Sequence, residues 1–60
     1  MKLHNQYSHS QLVAEGYKHL YNIGKMELWA SGSYRVQVDR DTRKVDRYYF
    51  LKENGEEIDL

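Results

Sequence analysis

The stretch Ser8-His9-Ser10-Gln11-Leu12-Val13-Ala14-Glu15-Gly16-Tyr17-Lys18-His19-Leu20-Tyr21-Asn22-Ile23-Gly24 decides how the chain is read, because it opens on a helix-starting box and closes on a glycine. In a Ser-x-x-Gln box, the Ser8 hydroxyl and the Gln11 amide satisfy orphan backbone donors of the first turn reciprocally. Tyr7 before the cap and Leu12 inside the first turns supply a hydrophobic staple. Leu12, Val13, Gly16, Leu20 and Ile23 then fall on one stripe at helical spacing, with Tyr17 and Tyr21 on its flank and Gln11, Glu15, Lys18 and Asn22 opposite. The spacing predicts a single one-sided helix over about residues 9–23, stopped by Gly24 in the left-handed conformation. Gly16 inside the stripe weakens such a helix by about 1 kcal/mol relative to alanine, which implies close backbone approach to the surface beneath it.

Beyond Gly24 the period changes from helical to alternating, and three strands are expected at about 26–30, 34–39 and 44–53. Turn chemistry sets their register. A three-residue loop at Ser31-Gly32-Ser33 places Leu28 opposite Val36, Met26 opposite Val38 and Trp29 opposite Arg35. A four-residue loop from Arg40 to Arg43 places Asp39 opposite Lys44, Val38 opposite Val45, Val36 opposite Arg47 and Tyr34 opposite Tyr49. Asn54-Gly55, a strong hairpin signal, sets Leu51 against Ile58 and Tyr49 against Leu60 if the loop has two residues. Residues 56–60 are read as a fourth strand, the alternative being a free acidic tail. The expected fold is α+β: one N-terminal helix packed on a three- or four-stranded antiparallel meander, a single domain over residues 1–60.

These registers gather Met26, Leu28, Ala30, Tyr34, Val36, Val38, Val45, Tyr49, Leu51, Ile58 and Leu60 on the face given to the helix, with Arg47 as the exception. The other face is polar apart from Trp29, Tyr48 and Phe50. Trp29, Arg35 and Tyr48 lie there in one cross-strand row, with Phe50 and Lys52 further along the same face. Rings interleaved with cations suit either stacking on bases or anchoring a protein. The bland reading is a second core, covered by Met1, Leu3 and Tyr7.

Arg40, Arg43, Lys44 and Arg47 form the candidate contact for nucleic acid or an acidic partner, although Asp39, Asp41 and Asp46 interleave with them. Charge is neutral overall but segregated: +1 over residues 1–34, +3 over 35–52 and −4 over 53–60. So weak a net field disfavours unspecific attraction to nucleic acid. The 60 residues from Met1 to Leu60 are read as a complete small reading frame with a thin core, stabilised by good patterning or by pairing of copies. There is no cysteine, no apolar run of the ~20 residues that span a bilayer, and no apolar signal core after Met1; a reducing cytoplasm is the expected setting.

His4, His9 and His19 lack metal-pair spacing, and no nucleophile–base pair or phosphate loop is evident, so neither metal, cofactor nor enzymatic activity is expected. The expected function is a small protein-binding module, an inhibitor or adaptor of a larger cellular or mobile-element protein, itself of the phage- or plasmid-encoded kind. The alternatives are a single-stranded nucleic-acid or β-ribbon DNA binder, and a homodimeric structural scaffold.

Overall fold

The computed structural model describes residues 1–60 and is mostly sheet. One short helix, α1 (His9–Ala14), precedes five strands: β1 (Lys18–Ile23), β2 (Met26–Ser31), β3 (Tyr34–Asp39), β4 (Val45–Leu51) and β5 (Glu57–Asp59). They form one antiparallel meander in the order β1-β2-β3-β4-β5. No helix is long and apolar enough to cross a membrane.

The helix starts as its sequence dictates. Ser8 Oγ accepts from the Gln11 N–H at 3.2 Å, and the Ser8 N–H donates to Gln11 Oε1 at 2.8 Å. It stops far sooner than the apolar stripe implies, which overturns the fold of one long N-terminal helix on three or four strands. The Gly16 N–H donates to Val13 O at 2.9 Å and the Tyr17 N–H to Leu12 O at 3.0 Å, the paired bonds of a Schellman stop. This closure requires a left-handed residue, and Gly16 has φ +91°. Its Cβ-less backbone serves the stop; the nearest atom an added Cβ would meet is Ser31 Oγ at 3.8 Å. Tyr17 and Leu12, the two residues such a motif brings together, are both buried in the core cluster.

Released from the helix, residues 18–23 become an edge strand, and all six are exposed. Gly24 and Lys25 form the two-residue loop that pairs Ile23 with Met26. Gly32-Ser33 is a second such loop: Ser31 pairs with Tyr34, and Gly32 at φ +58° takes the first central position that a type II′ turn reserves for glycine.

The loop at Gly32 is one residue shorter than the Ser31-Gly32-Ser33 turn expected from sequence, so the β2–β3 register moves by one. Trp29 pairs with Val36, and Leu28 with Gln37. A one-residue slip exchanges the two faces of a strand. The β3–β4 loop holds Asp39 near Lys44 and Val38 opposite Val45 as expected, but an irregularity follows, and Gln37 pairs with Arg47 and Val36 with Tyr48. Asp46 is the extra residue of this bulge. At the last hairpin, the Lys52 N–H donates to Glu56 O at 2.8 Å and the Gly55 N–H to Lys52 O at 2.9 Å, a three-residue loop rather than a two-residue one. Phe50 therefore pairs with Ile58, and Leu51 with Glu57. Residues 57–59 are a strand, as favoured over a free tail, though out of register with expectation.

The core lies between the sheet and the N-terminal segment. Leu12, Tyr17, Trp29, Val36, Val38 and Val45 form one buried cluster, with Met1, Tyr7 and Tyr48 packed against it. Residues 4–7 run along the start of β4: the His4 N–H donates to Val45 O, the Val45 N–H to Asn5 O, and the Tyr7 N–H to Arg43 O. The sheet face away from this cluster carries Met26, Leu28, Tyr49 and Leu51, which the expected registers had put in the core. Leu28 and Tyr49 are nevertheless buried.

Candidate partner-binding surface

The expected row of Trp29, Arg35, Tyr48, Phe50 and Lys52 is split among three places. Trp29 is 3% exposed and lies in the core. The His9 and His19 rings each lie with their centroid 5.2 Å from that of Trp29. Arg35 is on the opposite face, across from Ala30 and Tyr49, and its Nη1 donates to Gly32 O at 2.6 Å and Tyr34 O at 3.0 Å, tying down the β2–β3 turn. Lys52 lies in the β4–β5 turn and pairs with Glu56 at 3.0 Å. Tyr48 and Phe50 remain neighbours on the core side of β4, and Tyr48 keeps the row of Trp29 across Val36.

There they join Tyr34, which sequence reasoning had assigned to the core. The Tyr34 ring stacks on Tyr48 at 6.0 Å and meets Phe50 edge-on at 5.3 Å. Tyr34 is 42% exposed, while Tyr48 and Phe50 are half-buried. Ile58, opposite Phe50, is exposed. Leu60 continues the surface by donating its N–H to Tyr48 O at 3.0 Å. Beside Tyr48 opens a cleft of about 330 Å³ lined by Leu3, Asp46, Arg47, Tyr48, Asp59 and Leu60. Tyr34, Phe50, Tyr48, Ile58, Leu60 and Leu3 thus supply rings and aliphatic groups along β4 and its neighbours. The Gly32-Ser33 dipeptide, itself a two-residue hairpin signal, holds the β2–β3 register that turns Trp29 inward beside Val36. The Asp46 bulge had no comparable sequence mark.

The ring surface is anchored from below. Tyr17 Oη donates to Tyr48 Oη at 3.5 Å, and burial together with that contact pushes the Tyr17 phenol well above its usual range. It stays a neutral donor at any physiological pH.

Of the four cations expected to meet an acidic partner or phosphate, two are already engaged. Arg43 Nη1 donates to Glu27 Oε1 at 2.8 Å, and its Nε donates to Tyr7 O at 3.3 Å. Glu27 is 7% exposed and also accepts from Trp29 Nε1 at 3.0 Å, with His9 Nε2 at 3.2 Å from its other oxygen. Burial alone would raise its pKa, but these three partners and the Arg43 charge hold it down to about 2. Arg47 lies on the other face, its guanidinium 4.1 Å from the Tyr49 ring centroid, and donates to Glu57 at 2.7 Å and Asp59 at 2.9 Å. Those two carboxylates raise its pKa further. Arg40 reaches Gly24 O at 3.4 Å, and Lys44 is exposed. No three His, Asp or Glu side chains gather in an arrangement that could hold a metal ion.

Comparison with known proteins finds no matching family model, no matching curated protein and no matching solved structure.

Proposed function

We propose that the chain is a small, non-enzymatic protein-binding module, an inhibitor or adaptor of a larger protein in the cytoplasm, and that it engages its partner through Tyr34, Tyr48 and Phe50. The observation that carries this reading is the contact of the Tyr34 ring with both Tyr48 and Phe50, all three partly exposed and continued by exposed Ile58 and Leu60. Aromatic side chains already held in place lose little freedom on binding and are the usual anchors of protein interfaces. The engagement of Arg43 and Arg47 by internal carboxylates favours a protein over nucleic acid, since phosphate binding draws on free cations.

The test is capture from a lysate of the source organism with wild-type protein and Tyr34→Ala, each with and without nuclease. A single protein retained after nuclease, and lost with the variant, supports the reading. Loss of all captured material on nuclease treatment moves the function to nucleic acid, and retention unchanged by Tyr34→Ala removes the ring surface from it.

A further inference from the structure

We propose that the outer edge of β4 is a docking site for an extended acidic–apolar–acidic segment of another protein, and that β5 is the chain's own occupant of that site. The inference rests on the reading of the chain as a binding module and shares Phe50 with it, but it turns on Arg47 and its test needs no native partner, so either can fail alone.

Side chains of a strand alternate, so Glu57 and Asp59 share one side and Ile58 takes the other. Both carboxylates converge on one guanidinium, Arg47 Nη1 to Glu57 and Nε to Asp59, while Ile58 lies opposite Phe50. The edge supplies the main-chain half of the recognition: Tyr48 O accepts the Leu60 N–H, and the Lys52 N–H donates to Glu56 O. An extended peptide adding to a sheet edge uses the same division, backbone bonds for affinity and alternate side chains for specificity. Arg47 is set for this role by β4 itself, because its guanidinium rests over Tyr49, which is 5% exposed.

The resident strand is weakly held. It has three residues, all exposed, and the Glu57 and Asp59 side chains are 44% and 72% exposed, where ion pairs contribute little. Short, solvated edge elements open locally at small free-energy cost. A visiting segment in the place of β5 would also border the cleft that Leu3 and Asp46 line. A phosphate backbone offers no N–H for Tyr48 O, so the chemistry selects a peptide.

The test uses the full chain. In the variant E57K/D59K the tail no longer matches Arg47, and the acetylated peptide Gly-Glu-Glu-Ile-Asp-Leu, residues 55–60, should bind it at least tenfold more tightly than it binds wild type, read by amide NMR shifts at Tyr48 and Phe50. Adding R47E should weaken binding at least tenfold, and a peptide with lysine at the Glu57 and Asp59 positions should then bind the triple variant better than the acidic one. Equal affinity of folded E57K/D59K and wild type, or indifference to R47E, overturns the proposal. Amide exchange in the wild-type chain gives a check that needs no variant: the Leu60 N–H should exchange at least a hundredfold faster than that of Val36, and equal protection of the two overturns it.

Discussion

Replacing Glu27 by glutamine keeps the shape of the side chain and removes the charge that Arg43, Trp29 and His9 surround. Folding holds this carboxyl at about pKa 2 instead of 4.5, and each tenfold gain in acidity corresponds to about 1.4 kcal/mol, so the ionised form contributes on the order of 3 kcal/mol. The folded pKa is the lower one; this stability is therefore fully present above about pH 4.5 and is lost as the pH falls through about 2. Glu27→Gln also leaves the Arg43 guanidinium, whose Nη2 is already buried without a partner, facing a neutral amide in place of a carboxylate. Domains of this size hold only about 3–9 kcal/mol in total, so the variant should be close to unfolding at neutral pH. Urea melts at several pH values, followed by the fluorescence of Trp29, measure both effects, since this lone tryptophan donates to Glu27. Wild type should lose about 3 kcal/mol between pH 4.5 and 2 beyond whatever the variant loses over the same range. A variant less than about 1 kcal/mol weaker at pH 7, or one with the wild-type pH slope, would refute the assignment of Glu27 as the electrostatic centre of the core.

Gly16→Ala should cost about 1–2 kcal/mol in a thermal or urea melt, because the residue must hold a positive φ; a neutral or stabilising result would mean that the helix runs on past Ala14. Trp29→Ala should cost about 3–5 kcal/mol and unfold much of the population by circular dichroism, as loss of a core ring does; a folded variant would return Trp29 to the surface. Ser8→Ala should cost about 1 kcal/mol by unpairing the Gln11 N–H, measured in the same melts. Tyr34→Ala should leave the melt nearly unchanged while costing about 2 kcal/mol in partner affinity, and an early melt would make Tyr34 a core residue.

Local signals with a single chemical meaning were legible in the sequence. The Ser8/Gln11 box starts the helix, and the loop from Arg40 to Arg43 sets Val38 against Val45. What failed was choosing between two periods over a short span. Leu12, Leu20 and Ile23 fit a helical stripe, yet Lys18–Ile23 also fits an exposed edge strand, and only the left-handed Gly16 separates them. Leu12 is fully buried while Leu20 and Ile23 are 46% and 56% exposed, which the stripe could not convey. The site suffered from the same sensitivity at the level of register. One residue too many at Gly32 and one unmarked bulge at Asp46 were enough to turn β3 over between its neighbours, which brings Tyr34 onto the face of Tyr48 and Phe50; Trp29 stays on that face and is buried there. Tyr48 and Phe50 were kept together because they share one strand and need no pairing rule.

The clasp of residues 4–7 on the start of β4 orders the assembly of the chain. Each hairpin of the meander joins neighbours in sequence through loops of two to five residues. The bonds from His4 and Asn5 to Val45 bridge 40 residues or more. Closing a segment tenfold longer costs about 2 kcal/mol more chain entropy, so the order of folding follows the order of loop length. Residues 4–7 therefore have no backbone partner for these bonds until β4 has formed. The strand that receives both ends of the chain is thus the one whose arrival turns a row of hairpins into a protein.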